Sequence, residues 1–553
     1  MELLDCRRLT GPNLLWDRPS VVVDIACRPD QAGPLEAAWT DEVRKLHQKL
    51  AWSMPEFCTK RRVGGLSIAF DGPIDRLYAG IALAEAAWTR CSDPDAMVDS
   101  SAETEIAERA TDEANPALLA LQAAAAHHRA PFLWDDDEVS VGQGETAQVW
   151  PARRLPPLEQ IDWSRARRIP SGLITGTNGK TTTARMCARI LREAGHTVGL
   201  TSTEGIWIND HRLDDGDYAG PGGARMVLRH PDASAAVLET ARGGLLRRGL
   251  GVDQADAALI TNIAADHLGD FGSRTLDELL EIKWIVSRAV RDRGTLVLNA
   301  DDPRLVAQAG RHSGRVTWFS LDPDQRAAEF RPEDGWLIRD RGGHRQRLCR
   351  VDEIPLAMGG AARHNIANAL AAAALCSSLG AEPDAIAAGL SSMQMDDNPG
   401  RGNLYRLGDF RVFVDFAHNP AAMAAIADLT AALPAARRLL AFAQAGDRTD
   451  ELLRESARGG WELAPDRIII SELAKYARGR SPGEVFAILR DELLRCGCPA
   501  DEIFHVETEL DALDHALAWA KPGDLLVMLV LADAPAVRER LTRLAAGVSA
   551  PPP

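Results

Sequence analysis

The sequence predicts an α/β protein of about three domains: an N-terminal α+β block, a central P-loop α/β domain with a mostly parallel sheet, and a C-terminal Rossmann-like α/β domain. Three observations carry this. From about residue 166 short β-branched runs alternate with helical stretches, at Gly172 to Thr175, Ala235 to Leu238, Ala258 to Ile263 and Thr295 to Leu298. The rhythm restarts after Asn398-Pro399-Gly400, at Arg411 to Asp415, Leu439 to Phe442, Arg467 to Ile470 and Leu525 to Leu531. Before it, residues 1 to 165 mix short strands such as Ser20 to Ile25 with Ala-rich helical stretches, then close on Gly142-Gln143-Gly144 and a Pro- and Arg-rich linker from Pro151 to Pro157. The expected domains are therefore 1–165, 166–398 and 399–553, with Pro551 to Pro553 as a loose tail.

Composition sets limits on function. At 553 residues the chain is too long for one ordinary core, and 46% hydrophobic with 26% charged residues is a globular balance. A net charge of −16 argues against clamping nucleic acid, which needs clustered Lys and Arg. The nine cysteines are scattered and lack a CxxC spacing, so they read as reduced thiols. Cys496-Gly-Cys498 reads as a loop with two thiols. No apolar run reaches the ~18 residues that span a membrane and no signal peptide is legible, so a cytoplasmic location is expected.

Chemistry enters at Gly176-Thr177-Asn178-Gly179-Lys180-Thr181-Thr182, between a buried strand at Ser171 to Thr175 and a helix from Thr183 onward. Glycines let the backbone turn several N–H groups toward one anion, and the helix start adds partial positive charge. Lys180 is placed to neutralise β- and γ-phosphates of ATP, and the Thr181 hydroxyl to hold Mg²⁺. Glu239 closes the next apolar strand. Asp266 and His267 follow the one after, so all three emerge at the carboxyl edge of the sheet, where such folds bind ligands. Oxygens from Thr181 and Glu239 with an imidazole from His267 suit a hard cation shared with phosphate.

These motifs together resemble the Mur ligase family. The likeness runs through G-T-N-G-K-T-T, Glu239, Asn262-Ile263-Ala264-Ala265-Asp266-His267-Leu268, Lys283 and Asn299-Ala300-Asp301-Asp302-Pro303. It continues through His364-Asn365-Ile366-Ala367-Asn368, Asp415-Phe416-Ala417-His418-Asn419-Pro420 and Gly446-Asp447-Arg448. It covers about residues 170 to 535. Within the family, Leu238 to Gly251, Asn398 to Arg401 and Arg478 to Glu484 are most similar to the Mur-like half of cyanophycin synthetases, and Gly11-Pro12-Asn13-Leu14-Leu15-Trp16 and Gly142-Gln143-Gly144 resemble their N-terminal domain. One departure is large. Those enzymes carry an ATP-grasp domain between the two parts, and the stretch from Trp150 to the phosphate loop has no room for one. A smaller departure is Tyr78 to Trp88, which keeps Glu85 but lacks the histidines of a His-x-x-Glu-His metal pattern. His127-His128 reads as surface.

The resemblance implies that a carboxylate attacks the γ-phosphate and that an amine then attacks the resulting acyl phosphate. It implies carbamylation of Lys283, which would help hold a second Mg²⁺. It also places Asn299, His364 and Asn365 near the base or ribose, Arg401 and Asp415 on nucleotide or phosphate, and His418 near the incoming acyl group. A site completed from two domains implies closure, with a hinge near Asn398. Arg242, Arg247 and Arg248 read either as a positive pocket for a carboxylate-rich acceptor or as a solvated turn. Glu472 and Glu484, flanking Arg478-Gly479-Arg480, read as receivers of a basic amino acid. The expected substrates are amino acids or short peptides, with homo-oligomers and a separately encoded ATP-grasp partner as further expectations. The alternatives are a folylpolyglutamate- or peptidoglycan-precursor-type ligase, or a non-catalytic nucleotide-binding partner of an ATP-grasp protein.

Overall fold

The computed structural model describes residues 1–92, 100–266 and 275–547. The expected tail at Pro551 to Pro553 lies outside them. Among the described residues are four sheets, of four, three, eleven and six strands.

The N-terminal four-stranded sheet is antiparallel, in the order Glu2–Leu9, Ser20–Ala26, Gly65–Asp71, Phe57–Arg62. Helices Pro29–Lys49 and Leu77–Ser92 seal its inner face around the fully buried Trp39. A three-stranded meander, Phe132–Trp134, Glu138–Val141 and Gln148–Pro151, joins the same core. His127 and His128 are exposed at a helix end, where His128 stacks on Trp163 at 4.4 Å.

The two motifs of this block that sequence alone could not interpret are docking turns. In Gly11-Pro12-Asn13 the buried Asn13 accepts from the Leu15 and Trp16 amides at 2.9 and 3.1 Å and donates to Gly11 O at 3.0 Å. That fixes the turn against the central domain, where Leu250 N donates to Pro12 O and Thr10 N to Arg248 O, both at 2.8 Å. A Cβ at Gly11 would collide with the Leu250 carbonyl. The Gly142-Gln143-Gly144 turn does the same against Ala233, whose carbonyl accepts from Glu145 N at 3.1 Å.

The eleven-stranded sheet has a parallel centre. Val198–Ser202, Ala235–Glu239, Ser171–Thr175, Ala255–Ile260, Val290–Asn299, Arg315–Phe319 and Phe330–Glu333 run side by side, and antiparallel strands extend both edges. The order matters more than the count. After Ser171–Thr175 the chain crosses over a vacant position, returns to fill it with Ala235–Glu239, and then moves to the other side. Such a reversal opens a crevice at the strands' carboxyl ends. Helix Lys180–Glu193 packs there with Met186, Cys187, Ile190 and Leu191 inward, under the Ala-rich helix Arg363–Ser378. A third helix, Pro383–Ser392, comes so close that a Cβ on Gly389 would strike the Ile190 backbone.

The six-stranded sheet, in the order Asn403–Leu407, Phe410–Asp415, Leu525–Leu529, Arg438–Phe442, Arg467–Ser471, Ile503–Val506, is parallel apart from its first strand. Asp415 ends a strand beside the later-filled Leu525–Leu529, so a second crevice opens here. The two crevices face one cavity.

Candidate functional site

The loop after Thr175 takes the shape that its glycines permit. Gly176 has φ +147° and Gly179, the N-cap of the helix, φ +85°. Space is as restrictive as conformation: a Cβ at Gly176 would strike Thr261, and one at Gly179 would strike Asn368. The loop is then pinned from the neighbouring strand. Thr177 N donates to Asn262 O at 2.9 Å, Asn178 N to Asn262 Oδ1 at 3.0 Å, and Thr261 Oγ1 to Asn178 O at 2.7 Å. Lys180 curls over its own loop, its Nζ donating to the Gly176 and Thr177 carbonyls at 3.1 and 3.0 Å.

Glu239 sits one strand away, in register with Ile174, and is 2% exposed. No hydrogen bond of ordinary geometry reaches either carboxylate oxygen among the described residues. Burial pushes this carboxyl up, and Lys180, the Thr181 hydroxyl and Arg401 offset that only in part. Lys283 is likewise buried, on helix Leu276–Trp284, and its Nζ donates to Gly176 O at 2.7 Å. Burial, with the nearby Lys180, drives its amine well below the usual lysine range, against the pull of Asp266. His267, the remaining expected metal ligand, lies outside the described residues.

The C-terminal domain reaches the same place through contacts to central-domain acids. His418 Nε2 lies 3.4 Å from Asp266 Oδ2, Arg448 Nη2 lies 3.1 Å from Asp266 Oδ1, and the His418 Nδ1 position is fixed by Phe416 O at 2.9 Å. Asn419 and Asn178 exchange amide hydrogen bonds across the gap at 2.9 and 3.2 Å. Arg401 stacks on Phe416 at 4.1 Å and reaches Glu204 at 3.3 Å, and Glu204 also pairs with Arg185 at 2.7 Å. Asp415 and His364, both partly buried, line the cavity and feel each other's charge. Burial raises the acid and lowers the imidazole, and each partly offsets the other's shift.

Most of the expected residues thus meet in one cavity of about 1560 Å³, which Arg242, Arg247 and Arg248 also line. Two expected contacts look different in detail. Asn299 donates to Thr261 O at 3.0 Å and accepts from Asp301 N at 2.9 Å. Asn365 donates to Leu356 O at 2.9 Å and accepts from Asn368 at 3.2 Å. Both border the cavity with their amides already engaged in shaping its wall. The expected basic-amino-acid receivers are engaged as well: Glu484 binds Arg480 at 2.8 Å, and Glu472 accepts from His505 at 2.8 Å and from Gly483 N at 3.1 Å. The Asn398 turn is anchored rather than loose, its side chain donating to Thr182 Oγ1 at 3.2 Å and accepting from Arg185 at 3.1 Å. Glu204 and Arg185 were not legible as site residues. Only knowing that strand Val198–Ser202 lies beside Ala235–Glu239 brings Glu204 to this edge.

With that geometry in place, comparison with known proteins is decisive. The family model of the Mur ligase middle domain matches residues 174–376, and that of the Mur ligase glutamate ligase domain matches residues 400–529. The UDP-N-acetylmuramyl-tripeptide synthetase of Deinococcus radiodurans is 30% identical over 372 residues, covering 64% of this chain and 71% of that protein. The chain belongs to the Mur ligase family. This Mur ligase homologue is also 38% identical to the cyanophycin synthetase of Crocosphaera subtropica over 375 residues, and 38% identical to that of Synechocystis over 411 residues. These matches cover 65% and 71% of the chain but 42% and 46% of those proteins, so the chain spans less than half the length of the cyanophycin synthetases it matches. Among solved structures, E. coli FolC in complex with ADP superposes with a TM-score of 0.53 at 20% identity, covering 68% of this chain and 90% of FolC. A bifunctional folylpolyglutamate synthase/dihydrofolate synthase with Mn, AMPPNP and L-glutamate gives 0.52 at 19%, covering 68% and 89%. These show the shared Mur ligase fold. Among the described residues no helix is long and apolar enough to cross a membrane.

Proposed function

We propose that this chain is an ATP-dependent ligase that activates a carboxylate as an acyl phosphate and joins it to an amine, with amino acids or short peptides as substrates. The observation that carries the reading is Glu239. A buried carboxylate that its neighbours compensate only in part is costly, and it persists where a cation or ligand completes it. Here it stands beside the Thr181 hydroxyl and the Lys180 loop, so the residues fit a Mg²⁺ ion held by Thr181, Glu239 and, from the expected motif, His267. Such an ion supplies charge neutralisation of the phosphate oxygens.

The chain's own groups account for the rest. Loop amides and Lys180 hold the β- and γ-phosphates, a role in which each fixed donor is worth about 10² to 10³ in rate. Burial drives the Lys283 amine toward its neutral form, the form that reacts with carbon dioxide, and its seat against the phosphate loop supports carbamylation and, through it, a second cation. Arg242, Arg247 and Arg248 supply positive charge for an acidic acceptor. Arg401, Asp415 and His418, delivered by the C-terminal side, close over His364 of the central domain and exclude water from a hydrolysable intermediate.

The test is phosphate release with ATP and Mg²⁺ over a panel of amino acids and β-aspartyl peptides. Release that depends on one acid and one amine, and that disappears in Lys180→Ala, supports the reading. Wild-type turnover by Lys180→Ala refutes it.

A further inference from the structure

A second cavity, of about 570 Å³, lies between the N-terminal sheet and the two helices Arg242–Arg248 and Leu276–Trp284. Its size is that of a small-molecule site, which typically falls between about 300 and 1,000 Å³. Its floor is apolar, formed by Leu9, Leu15, Leu245 and Leu246. Its two ends differ in charge.

At the sheet end, Arg7 and Arg62 share one buried carboxylate. Asp24 is 7% exposed and already takes the Ser67 hydroxyl; Arg7 Nη1 lies 2.5 Å from it and Arg62 Nη2 3.5 Å. No hydrogen bond reaches that buried Arg62 nitrogen among the described residues. The second acid beside Arg7, Asp5 at 2.9 Å, is more than half exposed and weakly felt. Arg7 also donates Nε to Leu246 O at 2.9 Å, so of the two guanidinium groups Arg62 is the one with an unmet donor. At the opposite end stands the acidic first turn of helix Leu276–Trp284. There the Asp277 side chain is 90% exposed and its ion pair with Arg304 is long at 3.9 Å. Between the ends Lys60 reaches Glu281 at 3.1 Å and the Val63 amide reaches Glu278 Oε1 at 3.4 Å, so two contacts span from sheet to helix and set the gap.

We propose that this interdomain cavity binds a short zwitterionic peptide, with its carboxylate toward Arg62 and Arg7, its ammonium toward Asp277, and an apolar side chain among the leucines. The complementarity is threefold, and a ligand with only one of the three features leaves the other groups uncompensated. The cavity is distinct from the nucleotide-facing one, with which it shares only Arg247 among its lining residues. The inference therefore stands whether or not the ligase reading does.

The full chain is titrated calorimetrically with alanyl-leucine, its amide, its N-acetyl form and the doubly capped form, each with and without saturating ADP. One peptide should bind per chain, equally in both conditions. Blocking either charge should weaken binding about tenfold or more, the equivalent of one lost charge-assisted hydrogen bond, and capping both should remove it. Arg62→Ala should reproduce the loss seen with the amide. Leu4→Trp, on an exposed strand position that lines the cavity, should block entry while leaving ADP binding and the circular dichroism spectrum unchanged. No binding by alanyl-leucine, equal binding of the doubly capped peptide, competition by ADP, or indifference to Leu4→Trp would each overturn the assignment.

Discussion

The two sheet edges that face the main cavity are built on opposite electrostatic plans. The central edge carries groups held in costly states, a buried Glu239 that its neighbours compensate only in part and a buried Lys283 whose amine is driven toward neutrality. The C-terminal edge carries groups that are matched across the gap, His418 and Arg448 to Asp266 and Arg401 to Glu204. Unmatched charge in a preformed crevice is what a cation and a triphosphate would complete, whereas paired charges between domains can be exchanged as the domains move.

The comparison can be broken from the central side first. Glu239→Gln should lower ligase turnover by about 10² or more, since it removes a ligand from a site of concentrated negative charge. The same change should leave the ligand-free protein as stable as wild type or more stable by about 1–3 kcal/mol, because a neutral amide replaces a partly compensated buried carboxylate. Thermal unfolding without nucleotide checks the second half. A large loss of both activity and stability would mean that Glu239 is structural. Next in size, Lys283→Ala should cut turnover about 10²-fold, and buffers stripped of carbon dioxide should slow wild type but leave the variant unchanged. Unchanged rates in both would remove the carbamylation role.

The charge pairs across the gap should respond more mildly. Glu204→Gln releases Arg401 and Arg185 from their shared acid, and the account predicts a shift in KM for nucleotide of about two- to tenfold. Stability should change by no more than about 1 kcal/mol, as for other partly exposed ion pairs. A collapse in kcat with unchanged KM would place Glu204 in the chemistry instead.

The smallest effect is expected behind the site, at the seam between the N-terminal sheet and the helix of Lys283. Burial pushes the Glu281 carboxyl up, but bonds from Arg311, Lys60 and Gln308 outweigh it and hold the group at about 2. A depressed carboxyl stabilises the fold at pH values above its ordinary 4.5, and that contribution is lost as pH falls toward 2. The side chain is partly exposed, at 29%, and water screens its ion pairs, so the contribution is about 1 kcal/mol. Urea midpoints between pH 7 and pH 3 should fall less steeply in Glu281→Gln than in wild type, and identical slopes would show the seam to be electrostatically idle.

What could be read from the sequence follows from range. The phosphate loop, Glu239 at a strand end and the restart of the α/β rhythm after Asn398 are local patterns, set by glycine, β-branched runs and spacing, and the structure shows the loop and strands there. Glu204, Arg185 and the Asn178–Asn419 pair depend on strand order and on which domain faces which, and no local signal encodes either. The docking turn at Gly11-Pro12-Asn13 shows the same limit: its partner, the Leu250 carbonyl, lies more than two hundred residues away. Asn299 and Asn365 show a different one, since a side chain that borders a ligand cavity can have its hydrogen bonds committed to the wall.

In the proposed reaction the terminal phosphate passes to a substrate acid before the amide forms. It is tested most directly by supplying the acid identified from the panel with oxygen-18 in its carboxylate and weighing the phosphate released. Transfer of one labelled oxygen to each phosphate, in step with amide formation, is the predicted result. Unlabelled phosphate alongside amide product would contradict it.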